Sequence, residues 1–239
     1  MAGHPIIRHL SNWCIDGYCF KVDMEGLAAH YEFATAMIDL SRSKDVAMFF
    51  AFCEKIDGRY QPIVDESREV VIYTINLKAL LDSRSSDFNA IGFQALPRPD
   101  AQKAYALWLG HGQNLNKCHF ISKKMFKVQR KESEKYFDMF EGGATLFPND
   151  IVDAMALELR QSMEIDKEVL EACFERHLIP TAWDNFDELT KFLKKYGYLV
   201  REKQLEFSDG TRRKIIENWN SHSPLSSDRV NCRFVAESV

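Results

Sequence analysis

The sequence predicts an α+β fold in which a small sheet with flanking helices is followed by a mostly helical C-terminal part. Three observations carry that expectation. In residues 70–77 (VVIYTINL), six of eight residues are β-branched or aromatic, the composition of a strand. Ser41, Ser43 and Asp45 stand where helix caps stand, directly before Val46, Phe49, Phe50 and Cys53 at i, i+3, i+4 and i+7. Residues 149–196 then read as three successive helices.

Taken in order, residues 19–22 (CFKV) suit a short strand, 25–31 a helix turn and 35–40 an extended segment. The capped helix follows, and the strand at 70–77 is expected to be central in its sheet, packing Val71, Ile72, Tyr73 and Ile75, one parity at a time, against Val46, Phe49 and Phe50. Gly58, residues 65–69 and residues 83–87 read as loops. Asp100 is expected to cap a helix through Leu109, and Ser122 a second helix to about Phe140 that ends at Gly142-Gly143. Asn149 or Asp150 caps the first of the three later helices (about 150–161, 166–178 and 184–196), which Ile179-Pro180 and Gly197 punctuate. Residues 198–207 read as a hairpin, 212–219 as a last helix and the remainder as a polar, fraying tail. The expected division is an α+β domain over 1–148 and a helical region over 149–239.

The 239 residues are 46% hydrophobic and 28% charged, with 11 Gly and 7 Pro, which excludes long disorder, collagen-like repeats and coiled coil. A net charge of −4 creates no global field for nucleic acid or an anionic membrane. The most apolar run, residues 46–53, is less than half a membrane span, and the N-terminus lacks a secretory pattern, so the expected location is the cytoplasm. Six scattered cysteines read accordingly as reduced thiols; Cys118, His119 and His111 lack a fourth ligand, and no metal is expected.

Residues 30–51 (HYEFATAMIDLSRSKDVAMFFA) resemble the signature of the FRG domain family, a mainly bacterial domain, in which a His-Tyr-Gly-Phe/Leu-Pro-Thr segment precedes Leu-Leu-Asp-Trp-Thr and a Val-Ala-Leu-x-Phe-Ala helix. Residues 58–76 resemble the family's turn-then-strand segment, 98–102 (RPDAQ) its arginine-containing turn ending in Gln, and 146–150 (LFPND) its Leu-Phe-Pro element. The departures are Glu32 for Gly, Ala34 for Pro, Leu40 for Trp and Ser41 for Thr, and no Phe-Arg-Gly motif precedes His30, the only upstream arginine being Arg8. The resemblance therefore leads to the expectation of an N-terminal motif that is either missing or shortened with Arg8 as its remnant.

The hydroxyl-rich strand leading into an apolar helix is also similar, by fold-level analogy, to the NAD-facing motif of ADP-ribosyltransferases. The resemblance implies NAD as substrate, for ADP-ribosyl transfer or glycohydrolysis in an effector or defence component. It puts His30, Asp39 and Gln102 in catalytic roles, and Tyr31, Thr35, Ser41, Ser43 and Lys44 along the nucleotide, with the N–H groups near Ser41, Ser43 and Lys44 receiving an anion at the helix start. Each also has a plain structural reading: Asp39 as a backbone-bonding acid, His30 as a core or rim histidine, Tyr31 and Thr35 as packing, Gln102 as a surface residue. Gln102 stands where most transferases carry Glu and cannot supply its charge, which keeps open a catalytically inactive binding or interaction module; the partners expected are a protein or the missing N-terminal elements.

No Ser-His-Asp order, Walker loop or H-E-x-x-H occurs, so acyl transfer, nucleotide hydrolysis and zinc proteolysis have no support. A basic, aromatic stretch at 191–214 holds Lys191, Lys194, Lys195, Arg212, Arg213 and Lys214 among others. It raises nucleic-acid binding as a competing class, but its eight positive charges stand among six acids in and around it, as on a solvated mixed face.

Overall fold

A computed structural model describes residues 4–12, 14–15, 18–20, 22–84, 87–91, 96–109, 113–175, 183–202, 207–222 and 236–238. Helix α1 (Pro5–Ser11) is followed by strands β1 (Cys14–Ile15) and β2 (Tyr18–Phe20), which pair antiparallel. Helix α2 (Met24–His30) starts at Asp23, whose carboxylate accepts from the Gly26 N–H at 2.8 Å, and leads into β3 (Met37–Ser41). Helix α3 (Lys44–Phe52) is capped by Ser43, as its sequence predicts.

An unforeseen hairpin comes next, β4 (Cys53–Ile56) and β5 (Arg59–Pro62), turning on Asp57-Gly58 with φ of 49° and 79°. Asp-Gly is the residue pair that favours such a turn, and this signal was present in the sequence. Strand β6 (Glu69–Ile75) is followed by a helix, α4 (Leu77–Arg84), over part of an expected loop, and by β7 (Phe88–Ala90).

The helix expected over 100–109 is instead a short α5 (Pro97–Ala101) and strand β8 (Ala104–Trp108), which lies between β3 and β7 with Asp39 opposite Ala106. An apolar run such as AYALW does not distinguish a fully flanked strand from a buried helix turn; backbone pairing on both sides decides it. Ser122 caps nothing: it lies inside β9 (Ile121–Lys127), and the helix, α6 (Arg130–Met139), starts eight residues later. Strand β9 is also the one partner of β6 among the described residues, so β6 is not central.

Asp150 caps α7 (Ile151–Ser162), accepting from the Asp153 N–H at 2.9 Å. Then come β10 (Glu164–Asp166), α8 (Lys167–Glu175), α9 (Phe186–Lys195) and β11 (Leu199–Arg201). The expected hairpin at 198–207 is corrected over its described part: β11 pairs in parallel with β10. Helix α10 (Asp209–His222) and β12 (Ala236–Ser238) complete the chain, and β12 pairs with β2 where a frayed tail was expected. His111, Ile179-Pro180 and residues 203–206 lie outside the described residues. Cys14 is disulfide-bonded, which corrects the reading of six reduced thiols, while Cys53, Cys118 and Cys173 are free. No described helix is long and apolar enough to cross a membrane.

Among the described residues the α+β class is thus realised as several small sheets and three apolar clusters. The first joins Ile6, Ile7 and Leu10 of α1 to Leu27, Tyr31 and Ala106, and takes in Val152 and Ala156 of α7 and Ile215 of α10, so it spans the 148/149 boundary. The second packs Val46, Phe49 and Phe52 of α3 on Val70, Ile72 and Tyr136. The third holds Ile38, Leu40 and Ile75 with Leu80 and Leu107. Two sequence-based core assignments are corrected: Phe50 is 42% exposed and Tyr73 36%. The buried stripe of α3 runs through Val46, Met48, Phe49 and Phe52, turned toward α6 and β6, and Phe50 falls at its rim.

His4 is buried edge-on against Phe207, with a ring-centroid distance of 5.5 Å, and its Nδ1 has no hydrogen-bond partner. Burial pushes its pKa from 6.5 down to about 4. The unfolded chain therefore takes up a proton that the folded chain refuses. Stability from this group is full above about pH 6.5 and is lost as pH falls toward 4, by at most about 3 kcal/mol. Urea unfolding at pH 4.5 and 7.5 tests this: the pH difference should shrink in His4→Phe, and an equal difference in both proteins would refute it.

Candidate functional site

Three of the segments picked out in the sequence meet at the C-terminal end of α2. His30 closes that helix and Tyr31 caps it. The chain then turns through Glu32 at φ 64°, a left-handed position that explains why a glycine there is the natural choice. Glu32 is held in it by ion pairs with Lys55 on β4 and Arg160 on α7.

The Arg98 side chain is buried between the rings of Tyr31 and Phe147, 4.6 and 5.2 Å from their centroids. Its guanidinium donates to the His30 carbonyl at 3.0 Å and to the Asp153 carboxylate. The Tyr31 hydroxyl donates to the Asp150 carboxylate, and burial raises the pKa of both partners. Gln102, 6% exposed, donates from Nε2 to the Leu146 carbonyl at 3.1 Å, and its Oε1 lies 2.9 Å from His30 Nδ1. The Ser41 hydroxyl donates to the Gln102 carbonyl at 2.8 Å and accepts from the Ser43 N–H at 3.0 Å.

This network decides which predicted site residues keep free chemistry. Tyr31 is fully buried and Gln102 has both amide ends engaged, so neither lines a surface; the expectation that Gln102 reaches into a cleft is corrected. Ser41 bridges β3 to α5, Ser43 Oγ accepts from the Val46 N–H at 3.4 Å, and Thr35 Oγ1 accepts from the Met37 N–H at 3.2 Å. Around the expected anion site, the Ser41 and Ser43 hydroxyls and the Ser43 and Val46 N–H groups make hydrogen bonds within the fold. Lys44 is exposed on the first turn of α3, and Arg8 lies on the exposed side of α1.

His30 and Asp39 remain. Residues 37, 39 and 41 of β3 share one face: Met37 packs with the first cluster, and Ser41 reaches Gln102. Asp39 on that face has a half-exposed side chain, with Oδ1 3.8 Å from His30 Nε2. The imidazole is buried, and Nε2 has no hydrogen-bond partner. Partial burial raises the Asp39 carboxyl above the usual carboxylate range, His30 opposing. Together they present a buried basic nitrogen beside an accessible acid, the arrangement of a proton-handling or hydroxyl-binding pair.

Sequence reasoning missed Arg98, Asp150 and Asp153 as the members that organise this region. Arg98 stands between two prolines and Asp150 is a helix cap, and neither feature discloses a partner more than 50 residues away. No protein-family model, curated protein or solved structure matches the chain.

Proposed function

We propose that this chain is an FRG-type domain that binds NAD at the surface beside His30 and Asp39. One observation supports the reading above the others: the segments that resemble the family, 30–41, 98–102 and 146–150, interlock through one hydrogen-bond network that leaves a half-exposed Asp39 beside the buried His30.

Cleaving the bond between nicotinamide and ribose builds positive charge on the ribose, which a neighbouring carboxylate stabilises. With Gln102 committed to the interior and Glu32 to two cations, Asp39 is the acid that fills this role. The same commitments favour a second reading, in which the domain binds the dinucleotide without turnover.

Calorimetric titration of NAD, with assay of free nicotinamide, tests both. Saturable binding is expected. If nicotinamide accumulates, Asp39→Asn should slow its release by about 100-fold or more. Binding without release assigns the non-catalytic reading, and absence of saturable binding overturns the proposal.

A further inference from the structure

We propose that the C-terminal half of α9 is a binding surface for single-stranded nucleic acid, where exposed aromatic rings stack on bases and a row of lysines meets the phosphates. This goes beyond the NAD-binding reading and does not depend on it. Acidic and basic residues are mixed along the sequence here, but the structure sorts them. Asp187 and Glu188 occupy the first turn of α9, and Lys191, Lys194 and Lys195 lie in its second half. Nearby, Arg201 pairs with Glu164 and Lys167 with Glu202, so those acids are already engaged. The three lysines are exposed and make no ion pair among the described residues.

A row of aromatic rings runs beside them. Trp183 lies against Phe192 with ring centroids 5.1 Å apart, and Phe192 against Tyr196 at 4.7 Å. Phe192 is 40% exposed and Tyr196 58%, although the two rings already touch. At about 100° per residue, Phe192 and Tyr196 share one side of the helix, with Lys191 and Lys195 on the strip next to it and the buried Leu189 on the opposite flank of the rings. The helix dipole accounts for cations at this end, but not for rings left in water.

The occupant must bring negative charge for the lysines and flat apolar faces for the rings. A single strand of nucleic acid supplies both, since each base has a π-face and each linkage a phosphate. An acidic peptide matches the charge without the flat faces. A lipid surface calls for outward aliphatic side chains, and on α9 Leu189 is buried and Leu193 half-buried.

Fluorescence anisotropy of the full chain with labelled oligo(dT) and oligo(U) of about 16 nucleotides tests the proposal. At least one should bind saturably, with affinity falling about 20-fold between roughly 50 and 200 mM salt, as for three neutralised phosphates. Tyr196→Ala should weaken binding about tenfold, the loss of one stacked base, and Tyr196→Phe should keep it within about twofold. Replacing Lys191, Lys194 and Lys195 together by Gln should remove most of the salt dependence. All these side chains are exposed, so the fold should persist, and melting temperatures check this. If Tyr196→Ala melts early, the lysine variant carries the test.

Absence of saturable binding to either oligomer overturns the proposal, as does binding that every variant leaves unchanged. Equal affinity for a duplex of the same length, or equal competition by polyglutamate, overturns it too, because charge would then act without stacking. Binding to phosphatidylserine vesicles but to neither oligomer assigns the surface to lipid headgroups instead.

Discussion

Phe49→Ala should lower the unfolding free energy by about 3–5 kcal/mol, the loss expected when a fully buried phenyl ring is removed and its space is only partly refilled. Phe49 has no exposed surface. Its ring sits 5.0 Å from Tyr60, 5.6 Å from Phe140 and 5.5 Å from Phe50, so its loss opens a void at the meeting of α3, the β4–β5 hairpin and the turn after α6. Gly143 in that turn has φ 96°, and a side chain there would already press on the Phe49 ring. Phe50→Ala, one position on, should cost about 1 kcal/mol, because much of that ring already meets solvent. Denaturant unfolding of both variants checks the contrast; equal losses would show that the buried stripe of α3 runs elsewhere.

Arg98→Ala should destabilise by about 3 kcal/mol, through a different mechanism. The guanidinium makes a charge-assisted bond to the His30 carbonyl, pairs with Asp153 and fills the space between two aromatic rings. Its removal strands a carbonyl in the interior and withdraws the cation beside the Tyr31–Asp150 pair. Arg98→Lys should recover only part of this, since an ammonium lacks the planar fork that serves a carbonyl and a carboxylate at once. A double-mutant cycle with Asp153→Ala should show positive coupling. A loss below about 1 kcal/mol for Arg98→Ala would mean the network is not held through this residue. Because Arg98 contacts the His30 backbone, the same variant should also weaken nucleotide binding wherever the His30–Asp39 pair is required.

Local chemistry accounts for what was legible beforehand. Ser43, Asp150, Gly197 and the polar cap Asn185 each act on their own backbone within a few residues, so the starts of α3, α7 and α9 and the end of α9 could be placed from composition alone. Strands were legible where β-branched and aromatic residues dominate, as in β6, and illegible where they do not. ISKKMFK in β9 is mostly exposed and has no apolar period; only its pairing with β6 makes it a strand. AYALW in β8 fails in the opposite way, since it is apolar throughout and its state depends on β3 and β7 beside it.

Four of the residues singled out in the sequence, His30, Asp39, Ser41 and Gln102, are neighbours at the junction of α2, β3 and α5. Their roles were decided by tertiary structure. Whether a polar side chain holds the fold or faces a ligand depends on whether its hydrogen-bonding capacity is already filled, and the partners that fill it here lie far along the chain: Leu146 for Gln102, Asp150 for Tyr31, Asp153 for Arg98. Gln102, Tyr31 and Ser41 are consumed in this way, whereas His30 Nε2 is left without a hydrogen-bond partner beside Asp39. A residue's own identity states what it can donate or accept; only the packed chain states what remains unspent.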